Sequence, residues 1–214
     1  MDDEGKMVTN AWVELKNEED PDSPETPDTF WYYFEKDGKS AVSKWVKFDS
    51  KWYYFDESGH MATGKTEIDG ATYYLGTEKD GFMRTGWIRL EENSHAPGAS
   101  ESWYYFNSDG KMVTTQYDKK IDGSYYTFID GKMQTGWLLY NNTWYYLSES
   151  GAMVTGWITL GDKAYYLGGD GGMLTGWQNI DGQIYYLYPD GHKAVNEVID
   201  TFYVDQDGIW RKPQ

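Results

Sequence analysis

Tryptophan and tyrosine are the residues of this chain that could do chemistry, and the chemistry they offer is binding. There are 11 Trp and 20 Tyr in 214 residues, and they recur in a fixed order. A unit reads Trp, six residues, X-Tyr-Tyr-Leu/Phe, three residues, Gly-X-Met-X-Thr-Gly, and then the next Trp. Aromatic faces attract cations, and a pocket of several rings holds a quaternary ammonium at about 0.5–2 kcal/mol per contact. Three rings give about 4 kcal/mol, near a millimolar dissociation constant. Many copies would then be useful, because on a polymer bearing many such cations multivalency raises avidity roughly 100–10,000-fold.

Little else in the sequence offers chemistry. No nucleophile elbow, phosphate loop or zinc-binding spacing is present. His60, His95 and His192 are isolated and read as surface residues. Asp205-X-Asp207-Gly208 has the start of a calcium loop without the rest of it. The absence of Cys excludes disulfides and thiolate metal sites. The chain is therefore expected to be non-catalytic and without a cofactor. Its net charge of -16 repels nucleic acid and anionic lipid, and no apolar run is long enough to span a membrane. Met1-Asp2-Asp3-Glu4-Gly5 runs straight into Lys6-Met7-Val8-Thr9, the tail of a repeat, so the chain reads as a fragment or a mature region with an added start.

The elements that must position the rings follow from the repeat. The cleanest copies start at Trp137, Trp157 and Trp177, 20 residues apart. Less regular ones start at Trp12, Trp45, Lys65, Trp87 and around Tyr117, and a worn copy runs from Glu197 to the end, giving eight to nine units in a single module over 1–214. Asn141-Asn142, Gly161-Asp162 and Asp181-Gly182 suit two-residue turns with positive φ. With the Trp as position 0 and the turn at positions 4 and 5, position 0 pairs with 9, 1 with 8, 2 with 7 and 3 with 6. Alternation then places 0, 2, 7 and 9 on one face and 1, 3, 8 and 10 on the other. The second face is apolar, as in Val46, Phe48, Tyr53 and Phe55, or Leu138, Tyr140, Tyr145 and Leu147, and reads as the core. A lone hairpin is marginal in water, so the hairpins must stack into a solenoid whose aromatic rings meet at each junction. The recurrent Met61, Met83, Met133, Met153 and Met173 would fill gaps between those rings. Insertions at 17–29 and 91–101 read as exposed loops that disturb the cages beside them.

The stretch from Trp137 through Trp144-Tyr145-Tyr146-Leu147 and Gly151-Ala152-Met153-Val154-Thr155-Gly156 to Trp157 closely resembles the choline-binding repeat (cell wall-binding repeat) of pneumococcal surface proteins and their phages. The resemblance covers nearly all of the chain outside the two insertions. It implies an all-β fold, a left-handed β-solenoid of hairpins. It implies choline as the ligand, held as phosphocholine of teichoic or lipoteichoic acid, and a secreted protein on the Gram-positive cell wall. It also implies cage residues. By position these are Trp12 with Trp31, Trp45 with Trp52, Trp87 with Trp103, and Trp137 with Trp144, together with Trp157, Trp177 and the five methionines. A third ring comes from the next hairpin, with Tyr74, Tyr126 and Tyr166 as candidates; positions 8 and 9 both remain open for it.

Several units depart from the pattern. Position 7 is Thr72, Ala164 and Ile184 in three of them, position 0 is Lys65 in one, and Gln116-Tyr117 is irregular. Junctions built on those units are expected to be empty or altered, leaving three to five working sites. The last unit resembles the family's closing hairpin, which caps the stack or mediates a homodimer. Two rival functions remain. Similar repeats bind glucan or toxin-receptor carbohydrate, and the insertions could make the chain an adhesin for a host protein.

Overall fold

The computed structural model describes residues 6–17, 27–91 and 100–211. Every regular element among them is a β-strand, and the strands form nine hairpins. The chain divides into two compact units, Met1–Val113 and Thr114–Gln214. The first unit holds hairpins 1 to 4: Ala11–Lys16 with Thr29–Phe34, Lys44–Phe48 with Lys51–Phe55, Lys65–Ile68 with Ala71–Tyr74, and Gly86–Glu91 with Glu101–Phe106. The second holds hairpins 5 to 9. These are Gln116–Ile121 with Ser124–Ile129 (extended by Lys132–Met133), Gly136–Tyr140 with Thr143–Leu147, Gly156–Leu160 with Lys163–Leu167, Gly176–Ile180 with Gln183–Leu187, and Glu197–Ile199 with Phe202–Val204.

The turns set the register. Asn141 and Asn142 have φ of 48° and 63°, and Asp181 and Gly182 have 52° and 81°, the two positive values that a tight hairpin turn needs. Trp137 pairs with Tyr146, Trp157 with Tyr166 and Trp177 with Tyr186, as position 0 with position 9. The insertions lengthen hairpins 1 and 4 at their tips, beyond the pairs Lys16–Thr29 and Glu91–Glu101. Most of both loops lies outside the described residues.

Stacking within each unit has a repeated backbone link. The N–H of the residue two after the linker glycine donates to the carbonyl of position 7 on the preceding hairpin. Met61 bonds Trp31 at 2.8 Å, Met83 bonds Trp52 at 2.7 Å, Met173 bonds Trp144 at 2.7 Å, and Lys193 bonds Ala164 at 2.8 Å. The same methionines then lie beneath the linker glycine of the following repeat, where a Cβ would collide with the thioether: Met61 under Gly81, Met153 under Gly171 and Met173 under Gly191. The methionine is thus a spacer between turns of the stack, and the glycine opposite it is required for contact as well as for its positive φ.

The core is narrower than the apolar face of the hairpin. In hairpins 2 to 8 position 10 is sealed: Phe55, Leu75, Phe106, Phe128, Leu147, Leu167 and Leu187 are at most 2% exposed. Each sits at the base of its hairpin. In hairpins 2, 6 and 7 the linker folds back beside it, as in the bridges Phe55–Met61, Leu147–Met153 and Leu167–Met173. Position 3, beside the turn, corrects the expectation in two hairpins. Phe48 and Tyr140 are 36% and 37% exposed, because the tips reach beyond the cover of the linkers. Truncating a sealed position should be costly: Leu167→Ala is expected to lose about 2–5 kcal/mol, while Phe48→Ala loses much less, as read from urea denaturation.

Candidate ligand cages between hairpins

Each stacked pair brings positions 0, 7 and 9 of one hairpin against positions 1, 3, 8 and 10 of the next. Between hairpins 1 and 2, the Trp12 ring stands edge-on to Trp31 at 6.4 Å and 73° and to Tyr53 of the next hairpin at 4.8 Å and 67°. Trp12, Trp31, Tyr53 and Met61 line a pocket of about 160 Å³, together with Lys79 and Asp80. Hairpins 6 and 7 repeat the arrangement, with Trp137 at 6.3 Å and 87° from Trp144 and at 5.1 Å and 69° from Tyr165. Between hairpins 2 and 3, Trp45 meets Tyr73 at 5.0 Å and 62°, while the Lys47 ammonium lies 5.7 Å from the Trp52 ring. Rings set at such steep angles present faces to a common centre, the geometry that surrounds a compact cation. At position 7, Trp52, Trp103 and Trp144 are each 42% exposed, so these walls open to solvent.

The ring from the next hairpin is the position 8 tyrosine. Tyr53, Tyr73, Tyr165 and Tyr185 supply it. Of the expected candidates, Tyr166 lies against Trp157 of its own hairpin at 5.0 Å, and Tyr74 lies 6.2 Å from Phe106 on hairpin 4. Tyr126 lines a pocket between hairpins 5 and 6 with Tyr117 and Tyr125. Alternation carried the signal. Position 8 is on the face opposite its own Trp, and that face meets the Trp of the preceding hairpin. The position 8 tyrosines are therefore core and cage at once. Burial, then the negative charges of Asp49 and Asp80, raises the Tyr53 phenol above its usual 10.0. Burial and then Asp181 do the same for Tyr185. Both hydroxyls stay neutral at physiological pH.

The insertions leave the tryptophan pairs beside them unchanged. Trp87 and Trp103 stand at 6.5 Å and 85°, matching Trp137 and Trp144 in a hairpin with a two-residue turn.

The degenerate junctions are altered in three ways. In two of them a lysine ammonium lies over the rings. The Lys65 ammonium lies 5.4 Å from Tyr104 of hairpin 4, and Lys193 lies 5.3 Å from Trp157 and 5.8 Å from Tyr185. Lys193 also donates to the Asp207 carbonyl at 2.8 Å. Between hairpins 8 and 9, Trp177, Ile184, Phe202 and Trp210 enclose an apolar pocket of about 240 Å³. Between hairpins 5 and 6 the pocket is widened and lined by tyrosines, Met153 and aspartates. Met133 pairs with Phe128 on its own hairpin and lies beneath Gly151.

Among the described residues no group of three His, Cys, Asp or Glu could hold a metal ion. Asp205 accepts from the Asp207 and Ile209 N–H groups at 3.0 and 2.9 Å and pairs with Arg211 at 2.7 Å, so its turn is closed by the chain itself. His60 corrects the surface reading: its side chain is 15% exposed and its ring lies flat on Phe30 at 3.7 Å. His192 stacks on Tyr188 at 4.5 Å, and His95 lies outside the described residues.

Hairpins that stack through rings, with a methionine spacer in most linkers, define a class of wall-binding repeat. Residues 42–87, 119–155 and 154–198 carry the signature of the choline-binding repeat, and 99–112 that of a cell wall binding repeat. The chain belongs to the choline-binding repeat family. It is 35% identical to choline binding protein F from Streptococcus pneumoniae, with a TM-score of 0.72, covering 89% of this chain and 64% of that one. It is 31% identical to CbpJ from Streptococcus pneumoniae TIGR4, with a TM-score of 0.79, covering 96% and 72%. The modular autolysin LytC from Streptococcus pneumoniae, solved with a synthetic peptidoglycan ligand, is 25% identical, with a TM-score of 0.62 and coverage of 84% and 40%. The chain thus spans less than two thirds of choline binding protein F and of LytC. No curated protein sequence matches it.

Proposed function

We propose that this chain is a non-catalytic module that holds the phosphocholine groups of teichoic or lipoteichoic acid between its hairpins, fixing whatever is joined to it on a Gram-positive wall. The Trp12–Trp31–Tyr53–Met61 pocket carries the reading, with three rings at steep angles and an apolar thioether around about 160 Å³. Trp45, Trp52, Tyr73 and Met83 form the second cage, and Trp137, Trp144, Tyr165 and Met173 the third. Trp87 and Trp103 repeat the pair of rings found at positions 0 and 7 of these cages. The family supports choline as the ligand. Choline binding protein F, whose structure was determined in the presence of a tetrasaccharide-pentapeptide analogue of peptidoglycan, supports a place at the cell wall. Net charge of -16 adds a long-range pull on cations.

Calorimetric titration with choline, tryptophan fluorescence and elution from a diethylaminoethyl resin test this. Three to four sites with millimolar affinity are expected. Choline at a hundred times its dissociation constant should stabilise the fold by about 2.7 kcal/mol per site. Free choline should also elute the protein from the resin. Binding to an oligosaccharide with no response to choline would refute the assignment and favour carbohydrate recognition.

A further inference from the structure

A pocket of about 410 Å³ lies between hairpins 5 and 6, and it is not built like the cages. The register of hairpin 5 slips: Tyr126 pairs with Lys119 but Phe128 pairs with Gln116, leaving Tyr117 and Asp118 opposite Thr127 alone. Such a bulge re-aims side chains. Thr127 is 2% exposed and fixes the bulge by donating its hydroxyl to the Tyr117 carbonyl at 2.8 Å. As a result the Tyr117 ring lies parallel on Tyr140 of hairpin 6, at 4.1 Å and 12°, and Asp118 lines the pocket. Other hairpins fill the corresponding space with a position 9 tyrosine against their Trp, as Tyr146 does at 5.2 Å from Trp137. Thr127 leaves that space open.

The lining differs in kind as well as in size. Tyr117, Tyr125, Tyr140 and Tyr145 provide ring surface and hydroxyls, Asp118 and Asp170 provide carboxylates, and no indole takes part. A trimethylammonium has no N–H, so it cannot hydrogen-bond to a carboxylate or a phenol. It also needs only the smaller volume of the Trp12 pocket. A ligand that uses this wall has a positive charge, several N–H and O–H donors, and a ring-sized apolar face. We propose that the pocket binds a pyranose bearing a free amino group. Its C–H face rests on the tyrosine rings, and its ammonium and neighbouring hydroxyls hydrogen-bond to Asp118 and Asp170.

The site can be read separately from the choline cages, because no tryptophan lines it. Glucosamine, N-acetylglucosamine, spermidine and choline are titrated into protein carrying ¹³C-labelled tyrosine rings, with tryptophan fluorescence followed in parallel. Glucosamine should shift the Tyr117, Tyr125, Tyr140 and Tyr145 resonances saturably, and N-acetylglucosamine should bind at least about tenfold more weakly for want of the charge. Asp118→Asn with Asp170→Asn should weaken glucosamine by about tenfold or more, with the fluorescence response to choline unchanged. The asparagine at 170 keeps an acceptor for the Gly172 N–H, which Asp170 now holds at 3.0 Å. Choline or spermidine acting on these resonances more tightly than glucosamine would overturn the proposal. So would a glucosamine response indifferent to the double substitution.

Discussion

A variant carrying Trp31→Ala, Trp52→Ala and Trp144→Ala together should fall off a choline-bearing wall while remaining folded. Position 7 is the place where binding and folding separate most cleanly. Trp52 and Trp144 are 42% exposed, so little of their surface is committed to the core. The backbone carbonyls at these positions carry the links to Met61, Met83 and Met173, and alanine keeps them. The lost edge contacts, such as Trp137 with Trp144, are worth about 0.5–1.5 kcal/mol each. Binding responds more strongly. Removing one of three rings takes about 1 kcal/mol or more from a site that has only about 4, weakening it roughly five- to tenfold. Because the sites act together on one polymer, three such losses compound toward roughly a thousandfold. Sedimentation with choline-bearing walls, alongside circular dichroism, checks this. Full retention with an intact spectrum would rule the tryptophan cages out as the binding sites, and unfolding would make these residues structural.

Much of this was legible because the repeat restates itself. The turn pairs at Asn141-Asn142 and Asp181-Gly182 set the register, and the register fixed which residues share a face. The third ring of each cage was left undecided for want of one further step. Positions 0 and 8 of a single hairpin point apart, so position 8 can meet a tryptophan only on the neighbour. The exposure of Phe48 and Tyr140 was hidden for a different reason. Hydropathy marks a residue's face, whereas burial here depends on distance from the linker that closes the base of the hairpin. The bulge at Tyr117–Asp118 shows only as an irregular junction in the sequence, and the space it opens depends on Thr127 standing where other hairpins have tyrosine. Lys193 lay in view all along, a lysine in a column made mostly of methionines. Its role appears only when the side chain is seen over Trp157 and Tyr185.

That lysine leads to the second large effect. Replacing Ala164 with Trp and Lys193 with Met should add one choline site to the module. The junction between hairpins 7 and 8 already has two of its three rings, since Trp157 meets Tyr185 at 4.9 Å and 68°, close to the 5.1 Å and 69° of Trp137 with Tyr165. It lacks the position 7 wall, and its centre is held by the chain's own ammonium. A tethered cation competes at an effective concentration that reaches the millimolar range. A ligand with millimolar affinity cannot readily displace it, the more so as Lys193 gains a hydrogen bond to the Asp207 carbonyl. Ala164→Trp alone should therefore build the wall and leave the cage closed. Lys193→Met alone should open a two-ring site, too weak to saturate with the others. Only the pair restores three rings and an apolar floor, and calorimetric stoichiometry should rise by one. The backbone bond from residue 193 to the carbonyl of residue 164 does not depend on either side chain, so the stack should survive. A double variant with an intact fold and unchanged stoichiometry would mean that the lysine is not what closes the junction, and that the spacing of the two hairpins decides which junctions accept choline.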